Sequence, residues 1–204
     1  MTAQAEHDRR TLPQQLRHWA ATRPSAVALR QKDFGIWQAV SWAAYEQAAR
    51  HFGLGLLALG LPPRCHCAII SENRKEWVYA QLGCDMVGAV PVGIYPTSPA
   101  YEIAYLLEAS DAAVVVCEDQ EQFDKVLEVA GGLALLKASI VIDTRGLRSY
   151  QLAGLRSFEE VLALGAAHER RHPHLIEEHL RAQSLEDLAL MVFTSGSTGR
   201  PKAA

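Results

Sequence analysis

The sequence lacks any apolar stretch long enough to cross a bilayer, since a spanning helix needs ~20 consecutive apolar residues. It also lacks a block of like charge: 20 Lys and Arg stand against 23 Asp and Glu, for a formal net charge of −3. Nucleic-acid-binding domains carry a basic face, so no nucleic-acid partner is expected. Repeats and low-complexity segments are absent as well. What is left is an ordinary globular chain of 204 residues, enough for one domain or one and a fraction.

Residues 1–10 are polar and contain no apolar core of a secretory signal. We therefore expect a cytoplasmic protein without a transmembrane segment. Peripheral membrane contact stays open, although no strongly basic amphipathic helix in the sequence supports it.

Cysteine is scarce, and two of the four cysteines flank a histidine in the order Cys65-His66-Cys67. No second ligand pair follows at the spacing of a zinc finger. The three residues open an apolar run that ends at Ile70 and is typical of a strand. We therefore expect buried thiols rather than a metal site, and the same holds for Cys84 and Cys117.

A second group of metal-ligating residue types lies near the end of the chain: His168, His172, His174 and His179, among glutamates. Only the first two have the i, i+4 spacing that brings side chains together on a helix, and a proline follows them at once. The pattern favours a solvated, polar helical region, and no metal site is predicted.

Segments with helical apolar spacing alternate with short apolar runs along most of the sequence. The short runs are residues 26–29, 36–40, 68–70, 89–95, 112–117 and 139–142. Alternation at this spacing is typical of parallel strands joined by helices that cross over with right-handed connections. The sequence therefore predicts an α/β fold with a mostly parallel sheet flanked by helices.

Polar residues mark where several helices begin. The predicted caps are Ser41, Asn73 with Glu76, Ser98 before Pro99, and Ser157 with Glu160. Within the strand at 89–95, Pro91 cannot donate a ladder hydrogen bond, which predicts an edge strand or a bulge.

The residues with the clearest chemistry follow an apolar run at 188–193. They combine hydroxyls, glycines and a lysine in the order Thr194-Ser195-Gly196-Ser197-Thr198-Gly199-Arg200-Pro201-Lys202. Glycines let backbone N–H groups approach an anion, hydroxyls donate hydrogen bonds, and a lysine supplies a mobile positive charge. The pattern predicts a polyphosphate-binding loop; the alternative is a polar surface loop without a ligand.

This loop differs from a Walker A motif, in which Gly-Lys is followed by Ser or Thr. Here Gly199 is separated from Lys202, and no hydroxyl residue follows the lysine to hold Mg²⁺. A P-loop kinase or GTPase is therefore disfavoured.

The stretch from Thr194 to Lys202 resembles the phosphate-binding signature of the acyl-adenylate-forming enzymes, also called the AMP-binding superfamily. Acyl-CoA synthetases, adenylation domains of peptide synthetases and luciferases belong to it. The resemblance extends over nearly the whole chain, because 42–46 is similar to an early family motif and 88–97 to the second core motif.

Within this superfamily the chain most resembles the long-chain fatty acyl-CoA synthetases, in the stretches 71–77, 95–98 and 118–126. An aryl-CoA ligase or a peptide-synthetase adenylation domain stays open as an alternative, because the residues that select the acid are expected beyond position 204.

The resemblance implies a two-step reaction. A carboxylate attacks the α-phosphate of ATP, giving an acyl-adenylate and pyrophosphate, and the thiol of coenzyme A then displaces AMP. The implied cofactors are ATP with Mg²⁺ and coenzyme A as co-substrate, and the third small-molecule partner is a fatty acid. The residues implied to hold the β- and γ-phosphates are Thr194, Ser195, Gly196, Ser197, Thr198, Gly199 and Lys202. One departure is Ala203, which stands where the family usually has Gly.

In this family the adenine-binding segment, the ribose-binding Asp and the catalytic Lys follow the phosphate loop. No residue among 1–204 takes their place, so we expect an incomplete, N-terminal portion of the fold, without catalytic residues and inactive alone. Its expected parts are 1–60 (helix, hairpin and long helix), 61–145 (βαβ core), 146–187 (variable polar helical region) and 188–204 (strand and phosphate-binding loop). A non-catalytic nucleotide- or phosphate-binding module that acts through a partner is the alternative.

Overall fold

The computed structural model of the chain describes residues 9–194 and 201–204. Its helices are α1 (Leu12–Thr22), α2 (Trp42–Ala58), α3 (Lys75–Met86), α4 (Ala100–Ala109), α5 (Gln120–Val129), α6 (Phe158–Arg171) and α7 (Leu175–Ala182). Its strands are β1 (Val27–Asp33), β2 (Ile36–Ser41), β3 (His66–Ile70), β4 (Val90–Ile94), β5 (Ala112–Cys117), β6 (Ala138–Val141), β7 (Leu155–Ser157), β8 (Met191–Thr194) and β9 (Lys202–Ala203).

Strands β3 to β9 form one seven-stranded sheet in the order β7-β6-β5-β3-β4-β8-β9. Neighbouring strands from β7 to β8 are parallel, whereas β9 runs antiparallel to β8. Strands β1 and β2 form a separate antiparallel hairpin. The predicted α/β fold with a mostly parallel, helix-flanked sheet is confirmed.

Each face of the sheet is covered by its own helices. Helices α1, α2, α3, α6 and α7 share one core with Cys67 and Ile69 of β3. Helices α4 and α5 share the other core with Ala68 and Ile70 of the same strand. Successive strand residues point to opposite faces, so a strand buried on both faces is apolar throughout. This explains the uninterrupted apolar run that was visible in the sequence.

Two predicted helix starts are confirmed by side-chain hydrogen bonds. The Ala44 amide donates to Ser41 Oγ at 3.2 Å at the start of α2. At α6 the Glu160 amide donates to Ser157 Oγ at 3.1 Å, and the Ser157 amide donates to the Glu160 carboxylate at 2.6 Å. The second pair is the reciprocal capping box that its spacing predicts.

Two other predicted caps are wrong. Helix α3 is preceded by Arg74 rather than Asn73, without a side-chain cap. The backbone there is held by a distant group, since the Glu72 amide donates to the Glu118 carboxylate at 2.7 Å. Helix α4 is preceded by Pro99 rather than Ser98, because the Pro99 carbonyl accepts the Ile103 amide at 3.0 Å and is the first helical acceptor.

The expectation of an edge strand or a bulge at Pro91 is also wrong, since β4 lies between β3 and β8 with a regular register to β3. The Val90 amide donates to the Cys65 carbonyl at 2.9 Å on the β3 side. Amides alternate in direction along a strand, so the Pro91 nitrogen faces β8. Pairing with β8 begins only at Val92, and no ladder hydrogen bond is lost.

Helix α2 lies at the centre of its layer, where its backbone approaches two other helices at glycines. A Cβ on Gly83 of α3 would lie 2.5 Å from the Ala49 carbonyl oxygen, and a Cβ on Gly165 of α6 would overlap the His51 carbonyl oxygen. Only glycine permits these approaches without displacing a helix.

Charged side chains tie the same layer together. The buried Glu46 carboxylate accepts hydrogen bonds from Arg17 of α1 at 2.9 Å and from Arg50 at 3.0 Å. Arg50 also pairs with Glu169 of α6, and Arg17 pairs with Glu177 of α7. Four helices are thereby linked through one buried carboxylate.

Candidate phosphate-binding site

The two ends of the predicted loop lie side by side. Thr194 ends β8 and Lys202 begins β9, and the two residues are direct partners in the antiparallel ladder. Directly opposed residues project their side chains to the same side of a ribbon. The exposed Thr194 hydroxyl and Lys202 ammonium group therefore share one side of the hairpin, where a hydrogen-bond donor and a cation can reach one phosphate together.

The remaining predicted site residues, Ser195, Gly196, Ser197, Thr198 and Gly199, lie outside the described residues. Their part in phosphate binding stays a prediction.

Strand β9 also explains how the chain accommodates Ala203. This residue is exposed and pairs with Phe193, and beyond it the Val192 and Ala204 backbones exchange hydrogen bonds of 3.2 and 2.8 Å. An alanine fits an extended, exposed strand position without strain. The Cβ in place of the family's usual Gly is therefore accommodated at this position of β9.

Strand β8 ends at the carboxyl edge of the sheet, beside the end of β4, because it pairs with β4 in parallel at Val92 and Gly93. The connections after β3 and β4 lead to α3 and α4, which cover opposite faces. In open α/β sheets, ligands bind at the carboxyl edge where neighbouring connections diverge in this way. Thr194, which ends β8, is adjacent to that crevice.

A contact that the sequence did not reveal holds the return of the loop. Tyr105 of α4 donates its hydroxyl hydrogen to the Pro201 carbonyl at 2.9 Å. The two residues are 96 positions apart, and nothing in the local pattern around Tyr105 indicates this role.

The three stretches that carry the resemblance to long-chain synthetases meet at the same edge. Glu118 accepts hydrogen bonds from Ser71 Oγ at 3.2 Å and from Arg74 Nη1 at 3.2 Å. Lys125 Nζ donates to the Pro96 carbonyl at 2.8 Å. Residues 71–77, 95–98 and 118–126 thus form one continuous hydrogen-bonded border at the carboxyl ends of β3, β4 and β5.

A cavity of about 720 Å³ lies at the opposite, amino edge of the sheet, with His66, Val90, His179, Gln183 and Leu188 in its lining. Neither Thr194 nor Lys202 lines it. A ligand held by the predicted loop would therefore bind elsewhere.

Asp85 lies beside this cavity, and burial raises the pKa of its carboxyl to about 8. Its carboxyl oxygens have no hydrogen-bond partner among the described residues. The group is therefore protonated in the folded chain at neutral pH.

The cysteines that the sequence placed in the core, Cys65, Cys67, Cys84 and Cys117, are free and buried. Within residues 9–194 and 201–204, no three His, Cys, Asp or Glu side chains form a metal-binding group. In the same ranges no helix has the length and apolar character needed to cross a membrane.

The fold defines an open α/β protein with a candidate anion-binding loop at the carboxyl edge of its sheet. The family described as AMP-binding enzyme matches residues 16–204, and the chain belongs to that family.

Its curated relatives include long-chain fatty acid–CoA ligases. One from Rattus norvegicus is 29% identical over 178 residues, which cover 87% of this chain and 24% of that protein. Another, from Mycobacterium bovis, is 30% identical over 179 residues, covering 88% of this chain and 28% of that protein. The chain thus spans about a quarter of the length of these relatives.

Solved structures show the same fold. An anthranilate CoA ligase in complex with anthranoyl-AMP matches with a TM-score of 0.75 at 23% identity, over 92% of this chain and 33% of that one. An acetoacetyl-CoA synthetase from Streptomyces lividans matches with a TM-score of 0.70 at 22% identity, over 98% and 29% respectively. Both names are those of acyl-CoA-forming ligases, and the chain corresponds to a portion of their fold.

Proposed function

We propose that these residues supply the ATP-phosphate-binding part of a ligase that joins a long-chain fatty acid to coenzyme A. In this reaction the fatty carboxylate oxygen bonds to the α-phosphorus of ATP, and the bond to pyrophosphate breaks. The thiol sulfur of coenzyme A then bonds to the acyl carbon, and AMP leaves. The observation that carries the proposal is the pairing of Thr194 with Lys202 at the carboxyl edge of a sheet in an AMP-binding protein.

Thr194 and Lys202 have the chemistry that departing pyrophosphate requires. A hydroxyl donates to a phosphoryl oxygen, and an ammonium group stabilises the negative charge that accumulates as the bond to the α-phosphorus breaks. Ser195, Gly196, Ser197, Thr198 and Gly199 complete this proposed cradle. Mg²⁺ enters as part of the substrate MgATP.

The border formed by 71–77, 95–98 and 118–126 supports the long-chain branch, since these stretches carry the resemblance and are joined through Glu118 and Lys125. The names of the curated relatives support the same branch. An aryl acid is the second candidate, because the residues that select the acid are expected beyond position 204.

We propose further that the residues that bind adenine and ribose, and the catalytic lysine, are not among 1–204. On this proposal the chain alone does not form acyl-adenylates, because binding energy from the rest of ATP positions the reacting atoms. The proposed location is the cytoplasm.

The test is ATP–pyrophosphate exchange with palmitate or anthranilate as the acid. It compares this chain with the longest polypeptide that its native reading frame encodes. We expect palmitate-dependent exchange by the longer polypeptide and none by residues 1–204. Anthranilate-dependent exchange would contradict the long-chain branch, and exchange by the 204 residues would contradict the proposed inactivity.

Lys202→Ala in the longer polypeptide is expected to lower exchange about 100–1,000-fold, as for loss of a group that stabilises transition-state charge. Lys137→Ala is the matched control, since Lys137 is exposed and precedes β6 at the amino edge. Calorimetric titration with pyrophosphate adds a readout that does not need turnover. Binding of pyrophosphate without exchange in either polypeptide would favour the non-catalytic binding module.

A further inference from the structure

The hairpin β1–β2 ends in an apolar tip that projects into solvent. Phe34 exposes 93% of its surface, and Ile36 and Trp37 expose 65% each. Scattered exposed apolar residues are ordinary on proteins, but a contiguous exposed group marks an interaction site.

The backbone of the tip does not favour a phenylalanine. Phe34 has φ of 44° and Gly35 has φ of 83°, so both turn residues are left-handed. Two-residue turns of this kind favour Asn-Gly or Asp-Gly, and a bulky residue with positive φ is strained. A phenylalanine at this position therefore strains the turn and exposes an apolar ring to water. It stabilises neither the fold nor the dissolved protein, which leaves an interaction as the reason for its presence.

One face of the hairpin is directed toward the protein. Leu29 and Val40 pack against the core, and Gln31 Oε1 accepts the Lys75 amide at 2.8 Å. Asp33 has the same parity in β1 as these residues. Asp33 and its register partner Ile36 thus belong to the inner face.

The outer face carries cations beside the aromatic ring. Arg30 and Lys32 alternate with the inward residues and are exposed. Lys32 is the register partner of Trp37, and Arg30 that of Ala39. Neither cation forms an ion pair with another described residue.

We propose that this tip, formed by Phe34 and Trp37 with Arg30 and Lys32, docks the protein on an anionic lipid surface. Aromatic side chains prefer the interfacial layer of a bilayer, and Lys and Arg are attracted to acidic headgroups. The convex turn has no groove into which a folded partner protein could bind. A lipid bilayer is fluid, so its headgroups and acyl chains can pack around the inserted turn. The proposal does not rest on the ligase function, and its test involves no catalysis.

The test is flotation of the 204-residue chain with vesicles of phosphatidylcholine alone or of phosphatidylcholine containing phosphatidylglycerol. We expect binding to the anionic vesicles, weakened by salt because the headgroup attraction is screened. Phe34→Asn is expected to lower the partition coefficient about tenfold, because the variant lacks the aromatic ring that lipid would bury in the wild type. Lys32→Gln is expected to lower it about fivefold, by removing one cation near the surface.

Phe34→Asn also separates docking from folding. Asparagine tolerates the left-handed conformation, so the variant is expected to melt at a higher temperature while it binds vesicles less well. Leu135→Gln is the apolar control, at a residue 51% exposed outside the hairpin, and Lys137→Gln is the charge control. Both controls are expected to float like the wild type.

A dye attached through Ala39→Cys reports on the outer face directly, because the four native thiols are buried. A blue shift of its emission with anionic vesicles is the expected result. Equal flotation with both vesicle types, or no effect of Phe34→Asn, would overturn the proposal. Self-association of the wild type that Phe34→Asn abolishes would also overturn it, since the tip would then bind a second copy of the chain.

Discussion

Tyr105 holds Pro201 by a hydrogen bond of 2.9 Å from its hydroxyl group to the Pro201 carbonyl. The bond joins helix α4, on one face of the sheet, to the residue that precedes β9. Lys202 comes next in the chain, so the position of its cation depends on a helix far away in sequence.

Tyr105→Phe removes this hydroxyl. The variant of the longer polypeptide is expected to bind pyrophosphate about fivefold more weakly, because one hydrogen bond that positions the loop is lost. Calorimetric titration measures it. Tyr101→Phe is the control, because Tyr101 lies one turn earlier on α4 and is 77% exposed. Equal weakening by both variants would show that Pro201 is not anchored through Tyr105.

Gly165→Ala is expected to lower the free energy of unfolding by about 3 kcal/mol, because the new methyl group would overlap the His51 carbonyl and push α6 from α2. Urea denaturation followed by circular dichroism measures the change. Gly131→Ala, where a Cβ would meet no atom within 4 Å, is expected to be nearly neutral. A stable Gly165→Ala variant would mean that the two helices do not pack this closely.

Glu46→Gln is expected to cost about 3 kcal/mol of unfolding free energy, since removing the charge of a buried acceptor leaves Arg17 and Arg50 without their shared partner. Glu177→Gln removes a more exposed partner of Arg17 and should cost less than about 1 kcal/mol. Urea denaturation followed by circular dichroism, applied to both variants, measures the two losses of unfolding free energy. Similar losses would argue against a central role for Glu46.

The contribution of Asp85 to the free energy of unfolding is expected to fall as the pH rises from about 4 to about 8. The pKa of Asp85 is raised from 3.8 in the unfolded chain to about 8 in the fold, so over this range the folded state keeps a proton that the unfolded state has lost. Deprotonation therefore favours unfolding, with a slope of at most ~1.4 kcal/mol per pH unit for one group.

Asp85→Asn should remove this contribution. The change in the free energy of unfolding from pH 5.0 to pH 7.5, measured with urea, is then expected to be more positive in the variant than in the wild type. Asp33→Asn, at an exposed site, is the control and should leave the slope unchanged. An unchanged slope in Asp85→Asn would show that Asp85 does not carry the proton.

Features that depend on residues close in sequence were predictable. The capping box of Ser157 and Glu160 involves groups three residues apart, so its pattern suffices. Asn73 fits the same pattern but does not cap, because Glu118 holds the backbone at Glu72 from 46 positions away. Pro91 was misjudged for a related reason: which strands flank β4 depends on the order of the crossovers, which one strand does not reveal.

The candidate site was predictable in its residue types but not in its construction. The hydroxyls, glycines and Lys202 indicate phosphate binding because their chemistry is local. The antiparallel return through β9 and the anchor at Tyr105 are tertiary contacts. Residues 201–204 show no periodicity from which a strand of two residues could be predicted.

Strands β7 and β8 are consecutive in the chain but lie five strand spacings apart, about 24 Å. Helices α6 and α7 bridge this distance. Helix α7 is hydrogen-bonded to α1, because Gln14 Nε2 donates to the Leu180 carbonyl at 2.8 Å. The piece from α7 to β9 thus has its own attachments to α1 and to β4. A polypeptide cut at Pro173, between α6 and α7, should therefore reassemble from two fragments, with the proposed phosphate-binding loop supplied by the shorter one.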